Sequence, residues 1–428
     1  MMHFIYMVQH KLFRNVFIFT ITNVINSAIP FILLPVLTRY LTASDYGIAA
    51  TFQVLFSIIF VFVGLNMNGA VAVNFFGLKR EELKIYIGNT LIIQFVSFIL
   101  VLGIINIFKT KLSNFVKFPG DWLSIIVIIA LSNSIIQLAL KLWQVEKKPV
   151  QYGIFQILQT ILNTALSIFF VVVLDWHWQG RLYGIIITTL AFGIISAFII
   201  YKRNYLKFSI KKDYVKDALF FGIPLIPASL GWWVMTGIDR IFINSMVGIA
   251  DTGIYTVGYQ VGMIIGLLAI SFNQAWVPFF YEKLKENEYS TNVRIVKLTY
   301  LFNIGIIALS LILSFITPFF LRFYVGKRFY FAYKFVVWIA LGYAFNGMRF
   351  MVVNYFYYVK KTYISAWIAF FCAGVNIILN YFLIKANGAV GAAQATTISF
   401  FLSFIVTWIL CTKVYKMPWL FFLEKKTS

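Results

Sequence analysis

Long apolar runs separated by short polar connections dominate this chain. About twelve of them are long enough to cross roughly 30 Å of hydrocarbon. They fall at 14–38, 46–76, 86–108, 122–143, 150–174, 183–200, 218–238, 252–280, 296–320, 334–358, 363–384 and 391–413. The second and eighth runs exceed what a perpendicular span needs, so tilt or projection beyond the bilayer is expected there. Pro30 and Pro35 interrupt the first run and Pro224 and Pro227 the seventh, where each proline removes a backbone donor and favours a kink.

The two ends of the pattern look alike. "VEKKPVQYGIFQILQTILNTALSIFFVVVL" (145–174) matches "YVKKTYISAWIAFFCAGVNIILNYFLI" (358–384) in its lysine pair and in Asn163 against Asn376. The offset is roughly 213 residues. Six spans per repeat is an even number, so both copies enter the membrane from the same side. The expectation is an all-α integral membrane protein with two six-helix bundles related by a parallel pseudo-two-fold axis, enclosing a central cavity. The bundles are drawn at 1–200 and 218–414, with a basic linker at 201–217 and a tail at 415–428.

Composition fits this reading. The 428 residues are 61% hydrophobic and 12% charged, with a mean hydropathy of +0.87, too little polar surface for a soluble fold. Aromatic residues make up 19%, as interfacial belts require. The N-terminal "MMHFIYMVQHKLFRN" runs into a full span without a small-residue cleavage site, so no cleavable signal is expected. The net charge of +22 is spread over short loops, which points to membrane topology and anionic lipid and away from nucleic acid. With the N-terminus inside, cytoplasmic segments carry more than twice the Lys and Arg of the outer ones, placing both termini in the cytoplasm. Cys372 and Cys411 lie in apolar runs and the three histidines lack ligand spacing, so neither disulfide nor metal is expected. "VGKRF" is the nearest approach to a phosphate-binding loop and lacks the rest of it; no cofactor is implied.

One residue stands against the apolar background. Arg349 occupies the middle of "ALGYAFNGMRFMVVNYFYYVKK", where a guanidinium costs about 2.5–3.5 kcal/mol on insertion scales. Asn346 and Asn354 lie within about 140° of it on the helix. An anion or a hydrated cavity would offset that cost, and so would a pairing with Asp239 or a neighbouring carbonyl. Arg39 and Arg240 stand at the outer ends of the first and seventh spans, and Asp239 either neutralises Arg240 or serves in coupling. Amides are frequent in the apolar runs: Asn23, Asn26, Gln53, Asn133, Gln137, Gln156, Gln159, Asn163, Asn273, Gln274, Asn303 and Asn376. Singly they suit interhelical hydrogen bonds; as a set they suit a hydrated cavity. The acids all fall in loops or at helix ends, so any energy coupling is expected to be weak or to use the membrane potential directly, worth about 2.3 kcal/mol per charge per 100 mV.

"LPVLTRYLTASDYGIAATFQV" and "DRIFINSMVGIADTGIYTVGYQVGMII" resemble the Wzx-type flippases of O-antigen and capsule assembly, within the multidrug/oligosaccharidyl-lipid/polysaccharide exporter superfamily. Thr42 replaces the usual glycine after "YL". The resemblance implies two bundles opening alternately to either side of the inner membrane. It implies a cargo of undecaprenyl-diphosphate carrying an oligosaccharide, and other membrane proteins of lipopolysaccharide or capsule assembly as partners. Arg349, Arg240 and Arg39 are then candidates for the diphosphate; Asn346, Asn354, Asn23, Asn26, Gln53, Asn273, Gln274, Trp232 and Trp233 for the sugars. A drug/cation antiporter of the same superfamily is the nearest alternative. A polyprenyl-linked polymerase or ligase fits less well, because the outer connections are too short to hold a catalytic loop.

Overall fold

The computed structural model describes residues 26, 29, 31–286, 288–359 and 361–420. Asn23 and Pro30 lie outside them, and the first apolar run is described mainly as α1, Phe31–Tyr40. Helix α1 passes through Pro35 without a break, in contrast to the interruption expected there. The remaining helices are α2 Ala43–Gly64, α3 Met67–Asn74, α4 Arg80–Ile107, α5 Lys109–Val116, α6 Asp121–Val145, α7 Pro149–Ile168, α8 His177–Lys202, α9 Lys212–Gly222 and α10 Ile226–Met246. Then follow α11 Ile249–Gly262, α12 Ile264–Glu286, α13 Tyr289–Tyr324, α14 Tyr333–Tyr358, α15 Thr362–Asn387 and α16 Ala389–Val414. Eleven helical segments among the described residues are long and apolar enough to span a bilayer, and the chain is a multi-pass membrane protein.

The overlong runs are broken as well as long. In the second, Leu65 and Asn66 take left-handed backbone (φ 46° and 54°) and separate α2 from α3. In the eighth, α11 and α12 meet at Met263, whose amide still donates to the Tyr259 carbonyl at 2.8 Å. In the seventh, Pro224 lies in a 3-10 turn, Ile223–Leu225, between α9 and α10. A π-helical segment, Phe169–Val173, extends α7.

The chain divides into two compact units, Met1–Leu230 and Gly231–Ser428. Within the first, the basic linker is docked against the helices. Tyr205 is buried in the same core as Met67, Tyr86 and Leu142. The Lys207 amide donates to the Lys84 carbonyl at 3.2 Å, and Asn89 donates its side-chain amide to the Ser209 carbonyl at 2.8 Å. A Cβ on Gly88 would stand 2.3 Å from the Lys207 carbonyl oxygen, so only glycine admits the linker there. The lysines at 202, 207, 211, 212 and 216 stay exposed.

Within the second unit, Gly258, Gly262 and Gly266 form a four-residue repeat along α11 and α12. Added Cβ atoms would come within 2.5 Å of the Ala332 carbonyl oxygen, 2.7 Å of Ile339 and 2.5 Å of Tyr343. This is the small-residue spacing by which membrane helices approach closely, and it seats α11 and α12 on the start and middle of α14.

Candidate functional site

The second unit holds two polar groupings in its apolar interior. Helix α14 supplies the first. Arg349 is partly exposed and directs its Nε–H to Asn346 Oδ1 at 3.3 Å, while Asn346 itself is buried. Among the described residues no carboxylate lies within ion-pair distance of Arg349. The pairing with Asp239 considered from the sequence is therefore not formed. Asn354 turns to a different neighbour: its Nδ2 donates to Asn273 Oδ1 on α12 at 3.0 Å and to the Phe350 carbonyl at 2.8 Å. The helix thus presents two separate polar contacts.

The second grouping corrects the expectation that every acid lies in a loop or at a helix end. Helix α10 runs past the predicted span to Met246, so Asp239 is interior to it and only 2% exposed. Tyr255 Oη donates to Asp239 Oδ2. The Arg240 guanidinium lies 3.6 Å from Oδ1 and donates to the Thr236 carbonyl at 2.9 Å. Its central carbon sits 4.2 Å from the Tyr259 ring centroid, a cation–π contact. Tyr259 Oη and Tyr343 Oη are 2.7 Å apart. Arg240 therefore has a carboxylate partner, unlike Arg349.

The other sequence candidates are dispersed. Arg39 is exposed at the end of α1; Gln53 is exposed on α2, Gln274 on α12 and Trp232 on α10. Trp233 is half-buried beside Gly237, and Asn23 lies outside the described residues. Asn26 is engaged in the first unit, where its Nδ2 donates to Gln156 Oε1 at 3.1 Å and its Oδ1 accepts from Thr160 Oγ1 at 2.8 Å.

Sequence reasoning missed Arg181. Helix α8 begins at His177, earlier than the predicted span, and takes this arginine inside. Its Nη1 donates to Asn163 Oδ1 at 2.7 Å and to Ser167 Oγ at 2.6 Å. The available signal was a polar row at helical spacing on α7: Gln156, Thr160, Asn163 and Ser167. At the same end of the unit, the Trp122 ring centroid lies 5.2 Å from Trp178 and 5.3 Å from Tyr183, a cluster suited to an interfacial belt.

The polysaccharide biosynthesis protein family model matches residues 12–284, and the MatE model matches 224–382. A capsular polysaccharide biosynthesis protein, CapF, of Staphylococcus aureus is 25% identical over 406 residues, 90% of this chain and 95% of its own. An uncharacterized membrane protein of Haemophilus influenzae is 26% identical over 362 residues, 82% of this chain and 85% of that one. Among solved structures, the inward closed conformation of lipid II flippase MurJ aligns with a TM-score of 0.75 at 14% identity, covering 92% of this chain and 87% of MurJ. An inward-facing multidrug resistance transporter of the MATE family aligns at 0.67 with 15% identity, covering 92% and 94%. These two establish the two-lobed transporter fold. With the family model spanning more than half its length, the chain belongs to the polysaccharide biosynthesis protein family, within the exporter superfamily that its motifs resemble.

Proposed function

We propose that this protein is a flippase that moves undecaprenyl-diphosphate-linked oligosaccharide repeat units from the cytoplasmic to the periplasmic leaflet of the bacterial inner membrane. It works by alternating access to a central cavity, with both termini in the cytoplasm. The observation that carries the reading is Arg349: a guanidinium within a spanning helix whose hydrogen-bond partner is a neutral amide, with no carboxylate in ion-pair range among the described residues. A diphosphate carries about two negative charges and cannot cross hydrocarbon bare. A fork-shaped cation that binds phosphate oxygens in pairs is the group such a path needs. The exposed amides Gln53 and Gln274 and the indole of Trp232 are available for sugar, and the family assignment supports a polysaccharide cargo.

The antiporter reading draws support from the MatE match and from a buried acid, Asp239. That carboxylate is already engaged by Tyr255 and Arg240, which leaves it poorly placed to take a drug cation. The test is leaflet accessibility of lipid-linked oligosaccharide in cells carrying Arg349→Ala or Arg349→Lys. Losing a charge-assisted contact of about 1.5–3 kcal/mol lowers the outward-facing fraction by tenfold or more in the alanine variant. The lysine variant, which keeps charge and loses the fork, falls between. Unchanged sidedness in both variants at normal protein levels would leave Arg349 a structural residue.

A further inference from the structure

The arginines at 181, 240 and 349 lie in apolar helices and meet different partners. Arg240 has Asp239. Arg349 and Arg181 have only neutral oxygens: Asn346 for the first, Asn163 and Ser167 for the second. The charge of Arg181 is thus hydrogen-bonded but uncompensated, and no carboxylate among the described residues is within ion-pair range of it.

Direction matters as much as partner. Arg181 is close to the start of α8, where a long basic side chain ordinarily snorkels to the nearer interface. Here the guanidinium reaches back along α7 to Asn163, about 7.5 Å from the end of that helix at 1.5 Å per residue, with the π-helical segment beyond it. Close helix contact makes this possible. A Cβ on Gly184 would stand 2.5 Å from Ser167 Oγ, and one on Gly180 would stand 2.8 Å from the Phe170 carbonyl carbon. The π-helical turn Phe169–Val173 begins two residues after Ser167 and shifts the register of the chain beyond it. Below Asn163 the polar row continues through Thr160 and Gln156 to Asn26, so a phosphate bound at Arg181 would have hydroxyl and amide groups beside it for attached sugar.

We propose that Arg181, oriented by Asn163 and Ser167, is a diphosphate-binding residue contributed by the first unit, separate from Arg349 in the second. The proposal rests on the flippase reading for its cargo. Its chemistry is that of any diphosphate, prenyl-linked or free.

The decisive variant is Asn163→Asp. A carboxylate there supplies the arginine with a permanent partner, which holds the α7–α8 contact while occupying the anion site. Binding of farnesyl diphosphate and of inorganic pyrophosphate to the full-length protein in nanodiscs is measured alongside thermal unfolding. The expected result is a Tm for Asn163→Asp equal to or above that of the parent protein, with prenyl diphosphate affinity weakened about tenfold or more. Arg181→Gln weakens it similarly and Arg181→Lys less. A parallel loss for inorganic pyrophosphate at equal affinity assigns the site to free diphosphate; a preference for the prenyl form assigns it to the lipid-linked one. A folded Asn163→Asp protein that binds both probes like the parent, or a parent that binds neither, overturns the proposal. Arg349→Gln separates the two readings. Loss there with full binding in Arg181→Gln retains the proposed function and removes this site, and the reverse keeps this site and removes Arg349 as the function's anchor.

Discussion

Asp239 and Arg240 neutralise each other inside α10, and the pair is held on both sides by Tyr255 and Tyr259. Removing one member of such a pair is far more damaging than removing both, because the survivor is left charged and desolvated. Asp239→Asn is expected to cost about 3–5 kcal/mol, and Tyr255→Phe about 1–3 kcal/mol. The double variant Asp239→Leu/Arg240→Leu should recover much of the single loss. Thermal unfolding in detergent measures all three together with Asp239→Leu and Arg240→Leu alone, and a double-variant loss equal to the sum of those two would show that the groups are not coupled. This pair also shows what hydropathy conceals. The predicted seventh span stops at 238, the residue before the acid, and the predicted sixth begins at 183, just after Arg181. Charged residues mark the ends of an apolar window, so those enclosed near a helix end are the ones left outside it. Arg349 was legible because ten apolar-rich residues flank it on either side. Asp239 was read as a neutralising partner of Arg240, but its place inside a helix was hidden, as was that of Arg181, because "HWQGRLYG" and "DRIFINSM" are polar enough to read as connections, although the helices run through them.

At the level of elements, Thr42 explains how α2 starts without the glycine found in related motifs. Its φ of −73° requires no glycine. Its hydroxyl accepts from the Asp45 amide at 3.1 Å while Asp45 Oδ2 accepts from the Thr42 amide at 2.9 Å, a complete capping box. Thr42→Ala should therefore lower stability by about 1 kcal/mol and Thr42→Gly by only a few tenths, read as urea or thermal midpoints. Equal losses would mean that the cap contributes nothing. The glycine row on α11 and α12 makes a second expectation at this scale. Gly262→Val forces a side chain into Ile339 and should cost about 1–3 kcal/mol by overpacking, measured in the same unfolding assay. Periodicity revealed the existence of these helices; the breaks at Leu65–Asn66 and Met263 were not readable, because the glycines that precede them, Gly64 and Gly262, look in sequence like Gly258 and Gly266, which sit within a helix as close-packing residues.

At the scale of the whole molecule, the connection between the repeats is a built part of the first unit. Glu146, just past α6, accepts from Tyr205 Oη and from the Arg203 guanidinium, and lies 3.0 Å from Lys148 Nζ. Burial raises the pKa of this carboxyl, but the three donors outweigh it and hold the value below the ordinary 4.5. A carboxyl so depressed adds stability that is fully present above its unfolded value and is lost as pH falls through the folded one. The difference in thermal midpoint between the parent and Glu146→Gln should be greatest near pH 7 and shrink below about pH 4.5; a difference independent of pH would assign the effect to packing. The docking of residues 203–211 has a practical corollary. Although the sequence repeat suggests severing the chain midway through that stretch to obtain two complementing fragments, a cut there would strand α9 on the wrong piece, away from Leu65, whose carbonyl oxygen comes so near Gly222 that a methyl group would not fit. Genetic halves of this protein are therefore not structural halves.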